Sequence, residues 1–211
     1  YQSLRNQLGI EEYLTQQLKG NETCLEIGCG GGQWSKHLYP LVKSLHCTDI
    51  LSCEHNKFWE FVGLEKKEKI TYHTVNDTLL TPIANESLDY VFTYDIFCHL
   101  SLSTIDSYLQ TLYTKCKSGC KLLVMYADVH KFLKSESRHI KNFEKEFGVF
   151  NNIEKLKTTM LADCDGKTRK GRWYWIGIDN FIKLCEKHGF TILERDLNID
   201  KTNPLTLFTK K

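Results

Sequence analysis

No charge of either sign dominates the 211 residues. Lysine and arginine total 28, aspartate and glutamate 26, and the net charge is +2. So balanced a chain lacks the basic excess that holds nucleic acid by bulk electrostatics, and no nucleic-acid partner is expected. Long apolar runs are missing too: none approaches the roughly 20 residues of a membrane-crossing helix. The first residues lack the basic, apolar and small-residue order of a secretory leader. Cysteine is plentiful, but its pattern lacks a framework. The nine are odd in number and scattered, with Cys24, Cys29, Cys98, Cys120 and Cys185 in apolar segments. That distribution fits reduced thiols in a cytoplasmic protein better than disulfides. Metal-ligand spacing is absent as well. Cys116 and Cys120 have no second pair at zinc spacing. Asp163-Cys164-Asp165-Gly166 lacks the third alternating ligand and the distal glutamate of a calcium loop. No metal is expected.

What is present is the composition of an ordinary globular chain, 41% hydrophobic and 26% charged, and long enough to bury a proper core. Residues 1–211 are expected to form a single domain. Its elements follow from periodicity. Leu4, Leu8, Ile10, Tyr13, Leu14 and Leu18 recur at helical spacing, and Gly20-Asn21 stops that helix. Strands are predicted at 23–27, 44–50, 70–75, 88–94 and 121–126, the last after a Ser118-Gly119 turn. Helices are predicted between them at 33–41, 54–63 and 103–115. Alternation of this kind demands right-handed crossovers and a parallel sheet covered on both faces. The pattern then breaks into a polar insertion over 130–172, of a length that is either functional or carries helices of its own. Asp179 is expected to cap a helix ending at His188-Gly189. Strands at 190–197 and 205–209 are too close in sequence for a parallel crossover, so they must pair antiparallel. The fold class expected is α/β, a doubly wound, mostly parallel seven-stranded sheet closed by an antiparallel C-terminal hairpin.

The most informative stretch is Leu25-Glu26-Ile27-Gly28-Cys29-Gly30-Gly31-Gly32-Gln33-Trp34. Glycines at alternating positions after a buried strand permit a sharp turn and close approach of a ligand to backbone. A dinucleotide site would place its third glycine where Gln33 stands. A carboxylate at Glu26 would repel a pyrophosphate and suits a ligand with a cationic amino group. Other candidates stand at strand exits, where open parallel sheets bind ligands: Asp49 with Ile50 after the second strand, Asn76 and Asp77 after the third, Tyr94, Asp95 and His99 after the fourth, and Asp128 and His130 after the fifth. Beyond the insertion, Arg172, Trp173 and Trp175 combine a cation with aromatic faces that stack on a sugar or aromatic ring.

Glu26, Gly28, Gly30 and Gly32 match, position for position, the acidic-x-Gly-x-Gly-x-Gly motif of the class I S-adenosylmethionine-dependent methyltransferases, which the chain resembles over nearly its whole length outside the insertion. The resemblance implies S-adenosylmethionine as cofactor, held by the glycine loop at its methionine part and by Asp49 at the ribose hydroxyls. Ile50 would lie against the adenine and Asp77 at its amino group. Asp77 as a turn cap stays an open alternative. Leu88-Asp89-Tyr90-Val91-Phe92-Thr93-Tyr94-Asp95-Ile96-Phe97-Cys98-His99 is similar to the family's fourth motif, which brings Tyr94 to the cofactor and Asp95 and His99 to the methyl acceptor. In-line methyl transfer needs alignment more than covalent help. An alcohol acceptor must also lose a proton, and His99, Asp95 or Asp128 is the expected base. His99 as a packing histidine is the other reading. Some oxygen methyltransferases hold magnesium with aspartates at the places of Asp95 and Asp128, but Val129 stands where their asparagine would be.

Acceptors sort by what is missing. The three prolines, Pro40, Pro82 and Pro204, leave no Asp/Asn-Pro-Pro of adenine-amino enzymes and no Pro-Cys of cytosine-carbon enzymes. The paired-glutamate loop of arginine methyltransferases is not evident. His130, Arg172, Trp173 and Trp175 suit a sugar or glycan hydroxyl, with the two tryptophans as mere anchors of the insertion as the alternative. The arrangement is similar to methyltransferase domains beside glycosyltransferases, and a start at Tyr1 agrees with covalently linked neighbouring domains. Competing readings are methylation of another small molecule at oxygen or nitrogen, a non-catalytic module of the same fold, and a dehydrogenase.

Overall fold

Short apolar runs bounded by glycine and polar turns form the strands, and a computed structural model describes residues 2–135, 138–170 and 172–211. Strands β1 (Thr23–Ile27), β2 (Ser44–Asp49), β3 (Ile70–Thr74), β4 (Leu88–Thr93), β5 (Cys116–Met125), β6 (Phe190–Glu194) and β7 (Leu205–Lys210) make one seven-stranded sheet in the order β3-β2-β1-β4-β5-β7-β6. Strands β1 to β5 pair parallel, and β7 runs antiparallel between β5 and β6. This is the Rossmann-like sheet with a closing hairpin that the sequence pattern predicts. Near-continuous burial along β1 and β4 follows from covering both faces with helices. One core layer gathers Ile10, Leu14, Leu38, Phe58, Phe92 and Trp175. The other gathers Leu25, Val91, Leu109, Leu122, Phe181 and Phe208.

Helices α1 (Gln2–Gln17), α2 (Ser35–Leu38), α3 (Phe58–Val62) and α4 (Leu102–Lys115) fill the connections in turn. Two are shorter than periodicity predicts. Lys57 takes a left-handed φ of 52°, so α3 cannot extend back to residue 54. A 3-10 turn at Tyr39–Leu41, with Pro40 inside it, stops α2 at Leu38. The predicted Ser118-Gly119 turn lies inside β5, not before it. Leu88 pairs with Cys116 but Tyr90 pairs with Lys121, so the strand bulges there, with Gly119 at φ 81°.

The insertion has helices of its own: α5 (Val129–Lys134), a 3-10 turn at Arg138–Phe143, α6 (Glu144–Phe147) and α7 (Ile153–Asp163). Leu156 and Met160 of α7 and Phe143 are buried in the first core layer, so the segment packs on the sheet as a further helical layer. Helix α8 (Ile178–Lys187) then returns to β6. Its N-cap is Gly177, and the predicted cap, Asp179, sits in the first turn. The carboxylate that closes this terminus comes from Asp128, whose Oδ2 accepts the Ile178 N–H at 3.0 Å. No helix among the described residues is long and apolar enough to cross a membrane.

Candidate active site

Strand order reverses between β1 and β4, and the chemistry-bearing residues collect where those strands end. The loop after β1 is shaped by its glycines. Gly28 and Gly30 take left-handed φ values of 74° and 49°. Gly28 N–H and Cys29 N–H donate to the Thr48 carbonyl at 2.7 and 3.1 Å, which turns the chain back along β2. A methyl group on Gly28 would strike Ile96 at 2.2 Å, whereas one on Gly30 would meet nothing within 4 Å. Gly28 is thus tightly packed, while Gly30 borders open space. The Gly30 N–H donates to Asp49 Oδ2 at 2.9 Å, and Leu51 N–H to Asp49 Oδ1 at 2.9 Å. Each oxygen keeps a lone pair for a further donor.

Asp49 sits on the rim of a cavity of about 250 Å³ with Gly28, Ile50, Asn76 and Asp77 around it. Apolar walls come from Ile27, Val75, Ile96 and Leu100, and α4 adds Thr104 and Tyr108. Ile50 is 73% exposed, an apolar side chain at a ligand-sized opening. Asp77 accepts the Leu79 N–H at 2.8 Å, so the turn-capping alternative describes it as it stands. Both it and Asn76 are exposed at this rim.

Glu26 departs from the open carboxylate that the motif suggested. It is 2% exposed, beneath the loop. Ser35 Oγ donates to its Oε2 at 2.5 Å, and Cys47 Sγ lies 3.7 Å from the same oxygen. Burial pushes its pKa up to about 8 despite those two donors, so near neutrality without a ligand it holds its proton. Only a cation at the loop would make the ionised form favourable.

At the β4 exit, Asp95 has φ 60°, a strained conformation of the kind concentrated at functional sites. The twist turns its carboxylate toward the 3-10 turn Phe97–His99. Cys98 Sγ lies 3.4 Å from Asp95 Oδ1, and His99 Nε2 lies 3.9 Å from it. His99 Nδ1 is 3.1 Å from the Arg172 carbonyl. A carbonyl can only accept, so Nδ1 carries a proton and donates it there, while Nε2 faces Asp95. The segment carrying Arg172 is stitched on both sides: Tyr174 N–H donates to the Cys98 carbonyl at 2.7 Å, and Trp175 bridges Ala127 at the β5 exit. Arg172 is exposed and Trp173 half-buried beside this pair.

Other expected site residues have structural partners. Asp128 is 4% exposed. Its Oδ1 accepts Lys131 N–H at 2.6 Å while Oδ2 takes Ile178 N–H, so both oxygens close helix ends and the role of base does not suit it. Trp175 is 1% exposed, packed edge-on to Phe132, Phe143 and Trp173 at centroid distances of 5.3, 5.5 and 5.3 Å. It anchors the insertion and presents no free face. His130 is exposed on a separate cavity of about 700 Å³ walled by α5, α7 and the start of α8. Tyr94 donates its hydroxyl to Asp200 Oδ2 at 2.7 Å and leans on Trp34 at 5.1 Å. Burial and that carboxylate drive the phenol's pKa upward.

Asp200, 2% exposed, was missed from sequence. It lies in the polar connection between β6 and β7, and Thr202 N–H and Oγ1 also donate to it, both at 2.8 Å. The signal was an Asp-x-Thr turn, indistinguishable from any Asx-turn until its partner 106 residues away is known. Cys98 was set aside as a core thiol because nothing in a linear reading shows that a strained aspartate turns back onto it.

The fold has known counterparts. The methyltransferase-domain family matches over residues 2–195. The PH0226 protein of Pyrococcus horikoshii OT3 superposes with TM-score 0.70 at 17% identity, covering 100% of this chain and 92% of that one. The N-methyltransferase NodS of Bradyrhizobium japonicum WM9, in complex with S-adenosyl-L-homocysteine, gives 0.62 at 14% identity over 99% and 86% of the two chains. Magnesium protoporphyrin IX methyltransferase (ChlM) of Synechocystis PCC 6803, with the same product bound, gives 0.63 at 15% identity over 98% and 83%. No curated protein sequence matches this one. With a glycine loop that leaves open space at Gly30, a carboxylate with spare lone pairs at Asp49 and a family match over 2–195, the chain belongs to the methyltransferase-domain family, with S-adenosylmethionine as its cofactor.

Proposed function

We propose that this protein methylates a hydroxyl group of a small acceptor, a sugar or glycan hydroxyl above others. The observation that carries the proposal is the His99 ring held by the Arg172 carbonyl, with Nε2 at 3.9 Å from Asp95 Oδ1. A hydroxyl acceptor needs a base, and this is an imidazole beside a carboxylate that would stabilise its protonated form. When bound, S-adenosylmethionine supplies a methyl carbon on a sulfonium sulfur, which keeps the electron pair of the broken bond. His99 Nε2 takes the hydroxyl proton as the new O–C bond forms. Asp95 orients the imidazolium and lowers its energy. Asp49 accepts the ribose hydroxyls with its remaining lone pairs, Ile50 covers the base, and Asn76 and Asp77 edge the adenine. Gly28, Gly30 and Gly32 keep the loop free of side chains, and Glu26 ionises beneath the cofactor's ammonium group. Tyr94, expected at the cofactor, is held by Asp200 and Trp34 outside the lining of the cavity at Asp49.

The sugar assignment rests on Arg172, whose carbonyl holds His99, and on Trp173, next to it in the chain, whose ring also packs on Phe132, Phe143 and Trp175. An exposed guanidinium beside a half-buried indole fits a polar ring with an apolar face. One structural neighbour is an N-methyltransferase, which favours keeping amines as the second class of acceptor. A neutral amine needs no strong base, so the two readings separate by mutation. Incubation with S-adenosylmethionine and a panel of sugars, sugar nucleotides and amines, read by mass spectrometry, should show a methyl gain on a sugar. His99→Ala and Asp95→Asn should each slow it about 10²–10⁴-fold. Undiminished turnover in both variants removes the base assignment, and a methyl gain confined to amines removes the hydroxyl.

A further inference from the structure

The geometry points to a binding site for a zinc-class divalent cation formed by Asp95, Cys98 and His99. One ligand atom from each of the three lies within 4.8 Å of the others. The closest pairs are Cys98 Sγ to Asp95 Oδ1 at 3.4 Å and His99 Nε2 to Asp95 Oδ1 at 3.9 Å. Around a tetrahedral zinc with bonds of about 2.0–2.3 Å, neighbouring ligand atoms stand about 3.3–3.6 Å apart. The S–O edge matches that spacing, the N–O edge is wider by about 0.3–0.6 Å, and the third edge lies within 4.8 Å, so closing on an ion takes side-chain rotation.

Donor chemistry selects the ion. One thiolate, one imidazole and one carboxylate suit zinc and its transition-metal neighbours, whereas magnesium and calcium take oxygen. The outer shell is in place: His99 donates Nδ1–H to the Arg172 carbonyl at 3.1 Å, the bond that fixes the tautomer of metal-binding histidines. Backbone strain at Asp95, φ 60°, holds its carboxylate back over Cys98. On binding, Cys98 gives up its thiol proton to solvent and the S–metal bond forms, with no change of oxidation state. Asp95 and His99 are both exposed, so the fourth coordination position opens to solvent. Three protein ligands with an open fourth is the pattern of a reactive zinc site. That position takes an oxygen or sulfur atom of an acceptor and acidifies it. The site stands on geometry alone; a cation on His99 Nε2 takes up the lone pair that the proposed base uses, so the metal-bound state and the base exclude each other at that atom.

Cobalt tests it, because a thiolate on cobalt(II) gives a charge-transfer band in the near ultraviolet. The reduced, chelator-stripped chain titrated with cobalt(II) should take up one ion with that band, and zinc should displace it. Cys98→Ser should abolish the band, and His99→Gln should weaken binding about 10–100-fold. His99 is exposed, so its variant folds even if the buried Cys98 change does not. Cys53→Ser and Cys164→Ser, at the two half-buried thiols, should leave the titration unchanged. No stoichiometric band in the wild type, a band that survives Cys98→Ser, or unaltered affinity in His99→Gln overturns the site. S-adenosyl-L-homocysteine binding is measured separately without metal. Its failure would count against the proposed function and not against the cation site.

Discussion

Two glycines of one loop make different demands. At Gly28 a methyl group would collide with Ile96 at 2.2 Å, and at Gly30 it would project into empty space. Both carry positive φ, so alanine at either costs about 1–2 kcal/mol in backbone strain. Gly28→Ala adds the collision and should lose clearly more stability. Gly30→Ala should fold, yet lose at least about tenfold in affinity for S-adenosyl-L-homocysteine, since its methyl fills the space the ligand needs. Calorimetric titration beside urea unfolding checks both, and a Gly30→Ala that binds normally would move the cofactor off this loop.

Glu26 gives a prediction with a definite sign. Unfolded, its carboxyl ionises near its ordinary value of 4.5; folded, it holds its proton up to about 8. Between those values the unfolded chain binds fewer protons, so stability falls as pH rises through the window. The full loss is on the order of 5 kcal/mol, at about 1.4 kcal/mol for each unit. Glu26→Gln cannot ionise, so urea unfolding without ligand at pH 6 and pH 9 should show a smaller drop for the variant than for the wild type. Equal drops would mean that the buried carboxyl is not neutral.

At the scale of elements, Asp128 shows how one side chain substitutes for two expected features. It closes both α5, which follows it directly, and α8, whose Ile178 N–H stands 50 residues further along the chain. Asp128→Ala removes two caps, each worth about 1 kcal/mol, and buries two unpaired N–H groups besides. Unfolding should become easier by at least about 2 kcal/mol, while affinity for S-adenosyl-L-homocysteine, whose cavity Asp128 does not line, stays as it was. A large drop in affinity would return Asp128 to the active site. The strands, the sheet type and the glycine loop were legible because they follow from local rules: apolar runs, crossover length, and glycine where a turn needs positive φ. The cap of α8 was not, because Asp179 satisfies the local rule and loses to a carboxylate reached only through the fold. Lys57 and Asp95 were illegible for a related reason. Lysine seldom takes left-handed backbone, and aspartate, though it does so more readily, does so too rarely for one position to be picked from sequence. Asp95 and His99 were legible as a pair at the β4 exit, whereas Cys98 joined them only through that twist.

For the whole molecule, the question is whether the helical insertion is a separate body or part of one cooperative unit. We propose the latter, a single domain over residues 1–211. Trp175, Phe132 and Phe143 join the insertion to the same core layer as α1, β4 and the tip of β5. Trp175 is also bridged to Ala127 of the β5 exit. On the opposite face, Phe208 of β7 is fully buried against Phe181 and Phe190. Because β7 lies between β5 and β6, the sheet cannot close until the last strand is in place, and both layers depend on it. Trp175→Ala and Phe208→Ala should each cost about 3–5 kcal/mol. As they sit in separate layers without shared partners, the two losses should add within about 0.5 kcal/mol. Each variant should unfold in one transition, with far-ultraviolet dichroism and tryptophan fluorescence moving together. A Trp175→Ala protein that melts in two steps, the insertion first, would show that residues 130–172 hold the sheet only loosely. The Asp95–His99 pair would then rely on a segment free to leave it, because the Arg172 carbonyl that holds His99 lies at that segment's end.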